Sequence, residues 1–202
     1  GEHVIPVQCD VKNKEDVQRA VQCAIDSFGR VDALINNAGV APLSSMLRCR
    51  VDDWDNTIDT NIKGVLYGIA AVLPHMLEQK TGHIITISSE TARRVFPGYG
   101  VYSATKHAVR AISEGLQQDL SARSQKDGND IKVTTLAPGY VLTELSSSFT
   151  FEPAKKDFIH HLKSLDGALT PEDIANCIQF VLNSPAHVEI AEMTVRPVKQ
   201  NL

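Results

Sequence analysis

Apolar positions along this chain switch between helical spacing and short continuous runs. A first run, VIPV at 4–7, precedes a polar turn, after which Val17, Ala20, Val21, Ala24 and Phe28 recur at helical spacing up to Gly29. That predicts an amphipathic helix opened by a capping box of Asn13 and Asp16. ALINNAG at 33–39 reads as a strand ending in a turn, and Trp54, Ile58, Ile62, Val65, Ile69 and Leu73 mark one face of a long helix over about 51–76. HIITISS (83–89) and IKVTTLAPG (131–139) are two further strands. Between them a helix near 101–122 carries Ala108, Val109, Ile112, Leu116 and Leu120 on its core face. Residues 140–168 predict a partly charged loop or lid. Thr170, Pro171 and Asp173 then open a helix reaching about Asn183, and EMTVRPV (192–198) closes the chain as a strand.

Nearly continuous apolar strands separated by helices imply a parallel sheet covered on both faces, hence an α/β, doubly wound class. No repeat, low-complexity tract or linker divides residues 1–202, so a single domain is expected. Composition agrees, with 43% hydrophobic and 22% charged residues. The net charge of -4, with no Lys/Arg block, argues against nucleic-acid or anionic-membrane partners. Cys9, Cys23, Cys49 and Cys177 have no CxxC spacing, which fits thiols in a reducing compartment and no metal site. The apolar run at 64–74 is too short to span a bilayer and no signal-peptide pattern is present, so a cytoplasmic protein is expected.

In such sheets ligands bind beyond the carboxyl ends of the strands. Here those ends carry NNAG, SS and APGYVLT. Just after the second, Tyr102 and Lys106 stand four apart on a helix and share a face. A phenol of pKa about 10 transfers protons poorly at neutral pH. A neighbouring ammonium favours phenolate and brings it toward useful acid/base behaviour. Ser89, at the end of the preceding strand, is placed to donate to a carbonyl oxygen that gains negative charge. Asn61 interrupts an apolar helix face, where a buried amide needs partners: neighbouring backbone, or a water feeding protons to Lys106. Each feature alone also fits an ordinary surface helix, strand end or loop. Their coincidence at one sheet edge carries the chemical reading.

Together NNAG, TNIKG with Asn61, ISS with Ser89, YSATK and APGYVLT resemble, in order and spacing, the motifs of the short-chain dehydrogenase/reductase family, from about Val4 to the C-terminus. The resemblance implies a Rossmann-type fold and hydride transfer between a nicotinamide cofactor and a small alcohol or carbonyl compound. It makes Tyr102 the general acid/base and Ser89 the group polarising the substrate carbonyl. Lys106 would lower the tyrosine pKa and bind the nicotinamide ribose, and Asn61 would support a proton relay. It sets Asp10 and Val11 at the adenine, Asn37, Ala38 and Gly39 along the cofactor, and Pro138, Gly139, Val141 and Thr143 near the nicotinamide carboxamide. TPEDIA, SPAHVEI and EMTVRPVKQ are similar to a subgroup that reduces small carbonyl compounds or oxidises 3-hydroxy acids, with NADP expected ahead of NAD. A homodimer or homotetramer is also implied. Gly64 and Gly68 would allow close helix packing, between subunits or within the chain.

The family's first two strands and TGxxxGxG turn would precede HVIPVQCDV, and no such turn occurs in the 202 residues. The expectation is therefore a fragment of a longer protein, its VIPV strand deprived of a neighbour. The alternative is a non-catalytic relative that keeps the fold without binding the cofactor. The adjacent His160 and His161 are expected to face solvent from the lid.

Overall fold

The computed structural model describes residues 3–165 and 167–200. Four strands, β1 (Ala33–Asn36), β2 (Thr81–Ile87), β3 (Asp130–Pro138) and β4 (Glu192–Val195), pair in the order β1-β2-β3-β4, every pair parallel. The helices are α1 (Lys14–Phe28), α2 (Val51–Ile58), α3 (Gly64–Gln79), α4 (Gly100–Asp127), α5 (Glu152–Ser164) and α6 (Pro171–Leu182). The class is the doubly wound α/β arrangement the apolar pattern predicts. Val65, Ile69, Val72 and Met76 of α3 and Val109 and Leu120 of α4 bury against Ile84, Ile131 and Val133 on one face of the sheet. Alternate residues point the other way. On that face Lys132 Nζ donates to Ser184 Oγ (2.9 Å) and Thr134 Oγ1 to the Ile190 carbonyl (2.7 Å), so the segment after α6 covers it.

The predicted VIPV strand is absent. Residues 4–7 are coil, with Val4 75% exposed. A strand is held by ladder bonds to a neighbour, and among the described residues no strand pairs with this segment. At α1, Asn13 Oδ1 accepts from the Asp16 N–H (3.0 Å) as expected. The Asp16 carboxylate, however, takes the Asp10 N–H (3.1 Å) instead of closing a box on Asn13. The expected 51–76 helix is broken by one π-helical turn, Asp59–Lys63, with Asn61 inside it. Such turns insert a residue and re-aim side chains, often at functional sites.

Gly64 and Gly68 serve contacts within the chain. A Cβ on Gly64 would lie 3.0 Å from Val11 Cγ2, and one on Gly68 would meet the Asn36 side chain at the end of β1. The lid is not irregular: it holds a short 3-10 turn, Glu144–Ser148, and α5. Ala154, Phe158 and Leu162, four apart, form the inward stripe of that helix, with Leu162 buried.

Candidate active site

The parallel strands end on one edge of the sheet, where a cavity of about 850 Å³ opens. Each of its sides begins with a strand end. Asn37, Ala38 and Gly39 follow β1, Ser88 and Ser89 follow β2, and Pro138 to Val141 run out of β3. Thr143, Tyr102 and Lys106 also line it, the last two from the first turns of α4. Ten of the thirteen residues singled out from sequence are thereby gathered in one cavity. The other three lie outside its lining. Asn61 stands behind Gly39, while Asp10 and Val11 lie in the turn before α1, Asp10 accepting from the Lys12 N–H (3.0 Å) and Val11 packed on Gly64.

Tyr102 is half-buried, and the Ser89 hydroxyl beside it favours the ionised form of the phenol. Ser89 Oγ also accepts from the Thr91 N–H (3.2 Å), capping a short turn, so the ordinary strand-end role and the phenol contact coexist. Lys106 is 6% exposed, and its Nζ donates to the Ile87 carbonyl at 2.9 Å. The ammonium lies 5.7 Å from the centre of the Tyr102 ring.

The expected electrostatics are corrected here. Burial pushes the Tyr102 phenol up to about 12, partly opposed by the Ser89 hydroxyl, and burial drives Lys106 down to about 8. Burial, opposed only by Ser89, sets the direction in which the phenol moves in this structure. At neutral pH Tyr102 is a protonated donor.

Asn61, 1% exposed, clamps the chain beyond β1. Its Oδ1 accepts from the Val40 N–H (2.9 Å), and its Nδ2 donates to the Val40 carbonyl (2.9 Å) and to Thr105 Oγ1 (3.1 Å). Thr105 Oγ1 in turn donates to the Tyr102 carbonyl (2.7 Å). Both amide hydrogens are thus committed to protein, and the side chain positions Val40 and α4. Gly39 is squeezed between the two halves of the site: a Cβ there would lie 3.4 Å from Asn61 Oδ1 and 3.6 Å from Lys106 Nζ.

Sequence reasoning missed the opposite wall. Burial together with the neighbouring Tyr140 pushes the Tyr99 phenol far up. The Tyr140 ring lies 5.8 Å from Phe158 and 4.9 Å from His161, so His161, exposed on one side as expected, also borders the cavity. The chain's end contributes too. Gln200 Oε1 accepts from the Tyr140 N–H (2.9 Å), its Nε2 donates to Glu90, and Arg196 pairs with Glu90 at 3.2 Å. A Cβ on Gly139 would collide with Gln200 and lie 2.8 Å from Arg196 Cβ, so this tail accounts for the glycine of the PG turn. The i, i+3 spacing of Tyr99 and Tyr102 was the available signal; the tail left none.

The donor set fits the nicotinamide ribose end of a dinucleotide. An ammonium, a phenol and a hydroxyl converge on a cavity whose β1 side is stripped of a side chain at Gly39. Among the described residues no three His, Cys, Asp or Glu gather to hold a metal, and no helix is long and apolar enough to cross a membrane.

The family profile described as short chain dehydrogenase matches residues 1–153. An uncharacterized oxidoreductase of Staphylococcus saprophyticus is 43% identical over 193 residues, 96% of this chain and 76% of that protein. Among solved structures, the closed form of serine dehydrogenase complexed with NADP+ is 35% identical with a TM-score of 0.86, over 97% of this chain and 77% of that one. A short chain dehydrogenase/reductase from Burkholderia phymatum in complex with NAD is 26% identical with a TM-score of 0.83, over 95% of this chain and 70% of that one.

Proposed function

The chain belongs to the short-chain dehydrogenase/reductase family, and we propose that its site moves a hydride between a nicotinamide cofactor, NADP ahead of NAD, and a small alcohol or carbonyl compound. The observation that carries this reading is the Tyr102 phenol, lining the cavity beside the Ser89 hydroxyl with the buried Lys106 ammonium 5.7 Å from its ring centre.

When bound, the cofactor supplies or accepts the hydride at the substrate carbon. In the reductive direction the carbonyl carbon gains that hydride and its oxygen takes the Tyr102 proton, giving an alcohol; oxidation runs the same steps backwards. Ser89 donates to the oxygen as negative charge develops there, an interaction stronger in the transition state than in the ground state. A phenol held protonated is suited to the reductive direction, since it enters the step as an acid. Lys106 is placed for the ribose hydroxyls and for returning a proton to Tyr102. Asn37, Ala38, Gly39, Pro138, Gly139, Val141 and Thr143 flank the nicotinamide end, while Asp10 and Val11 belong to the distant adenine end. No glycine-rich turn occurs among the 202 residues.

Mixing the chain with NADPH and a panel of small ketones, and following NADPH absorbance, tests the reading. Consumption that depends on both ketone and Tyr102 is expected. Binding of NADPH without consumption across the panel would replace it with a cofactor-holding, non-catalytic role.

A further inference from the structure

Beyond β2 and β3 the sheet ladder stops holding the two loops together. Among the described residues the last backbone hydrogen bond between them runs from the Ser88 N–H to the Leu136 carbonyl (2.7 Å), and Pro138 at the end of β3 has no N–H with which to extend the ladder. One loop then carries Ser89 and Glu90, the other Gly139, Tyr140 and Val141, all lining the cavity. A side chain from a third segment joins them. After β4 the Gln200 N–H bonds back to the Pro197 carbonyl (3.1 Å), and this turn folds Gln200 onto Gly139, whose own N–H donates to the Val195 carbonyl (2.7 Å). Gln200 Oε1 accepts from the Tyr140 N–H (2.9 Å), while its Nε2 donates to the Glu90 carboxylate.

The two partners dictate the residue type. A backbone N–H needs an acceptor and a carboxylate needs a donor, and a carboxamide carries both on one rigid plane. The Glu90 side chain is 12% exposed and its other oxygen is held by Arg196 at 3.2 Å, so this end of the link is itself fixed. Ser89 directly precedes Glu90 and caps its turn. In the reaction Ser89 works on the substrate oxygen while the segment from Pro138 to Thr143 flanks the nicotinamide. Hydride transfer needs the reacting atoms brought to about 3–3.5 Å, so the spacing of these two loops enters the rate directly.

Resting on the oxidoreductase reading, we propose that Gln200 is a positioning residue whose amide clamps the Ser89 turn to the loop after β3 and so fixes the separation of the carbonyl-binding hydroxyl from the nicotinamide. It acts through Glu90 and Tyr140, and Gly139 is the glycine that lets it approach.

Three variants test the clamp. Gln200→Ala removes it. Gln200→Glu keeps an acceptor for Tyr140 but sets a second carboxylate against Glu90, and the double variant Glu90→Gln/Gln200→Glu lets the bond between the two side chains re-form with donor and acceptor reversed. Turnover is followed with NADPH and the ketone that the wild-type chain consumes fastest. The expected kcat falls by about 10-fold in Gln200→Ala and about 30- to 100-fold in Gln200→Glu, and returns to within about 3-fold of wild type in the double variant. NADPH affinity by fluorescence titration and circular-dichroism melts should stay close to wild type throughout. Hydrogen exchange at the Tyr140 amide should accelerate by about 10-fold in Gln200→Ala and match wild type in the double variant. Wild-type kcat in both single variants, no recovery in the double variant, or a loss of kcat that parallels a loss of melting temperature overturns the proposal. An inactive wild-type chain removes the oxidoreductase reading by itself; exchange at Tyr140 then decides the clamp, which falls if that amide exchanges alike in wild type and every variant.

Discussion

The Lys106 ammonium sits 5.7 Å from the centre of the Tyr102 ring yet gives its hydrogen bond to the Ile87 carbonyl, 2.9 Å away. The two residues share a helix face, as their spacing requires, but burial moves their proton affinities in opposite senses, the phenol upward and the amine downward.

Tyr102→Phe removes the transferable proton and keeps the ring that packs on the aromatic cluster. Turnover should fall by about 10²- to 10⁴-fold, the usual contribution of a positioned acid. NADPH affinity, followed by fluorescence titration, should change little. A variant with wild-type rates would remove Tyr102 from the chemistry.

Lys106→Met exchanges a buried amine for an apolar side chain of similar length. Because the folded-state pKa, about 8, lies below the ordinary 10.5, the fold disfavours the charged form. That destabilisation is fully present below pH 8 and lifts as pH rises from 8 to 10.5. It is on the order of 3 kcal/mol at pH 7, part of which the variant gives back by leaving the Ile87 carbonyl without a donor. Thermal melts should show Lys106→Met more stable than wild type at pH 7 and the gap closing toward pH 10, with turnover lost. Lower stability at pH 7 would mean the Ile87 bond outweighs desolvation.

Asn61→Ala frees the Val40 N–H and carbonyl and the Thr105 hydroxyl inside the protein. Unpaired buried groups of this kind cost about 1–3 kcal/mol each before relaxation, so a loss of about 2–4 kcal/mol in urea unfolding is expected. Hydrogen exchange at Val40 should accelerate beyond the global change, because Asn61 holds that amide individually. Uniform acceleration across the sheet would deny it this positioning role.

His83 lies in β2, 4% exposed, with Nε2 2.8 Å from Thr134 Oγ1. Burial, aided by the Lys132 charge, lowers its pKa from 6.5 to about 4. The neutral ring is the folded form, so its stabilising contribution is complete above pH 6.5 and is lost as pH falls from 6.5 through 4. NMR titration of the imidazole should show it unprotonated at pH 5.5. A midpoint near 6.5 would contradict the burial argument.

Period and punctuation alone determined much of this molecule. The stripe from Val17 to Ala24, the apolar runs at 83–87 and 131–138, and the Thr170–Pro171–Asp173 cap all lie where the pattern put them, whereas Phe28 at the helix end is 51% exposed. Helix geometry and the strand-end rule put Tyr102, Lys106 and Ser89 at one sheet edge without knowledge of distant contacts, and the resemblance of their motifs supplied their expected roles. Tertiary structure decided the rest. VIPV is apolar enough for a strand, but a strand exists only beside another. The π turn around Asn61 depends on what its amide meets at Val40 and Thr105, residues 21 and 44 positions away. The aromatic wall joins Tyr99, Tyr140 and Phe158 from three separate segments, and Gln200 closes on Tyr140 across 60 residues. Proton affinities followed the same division: the Tyr102–Lys106 spacing is written in the chain, whereas the direction in which each pKa moves depends on desolvation, which only the assembled packing imposes.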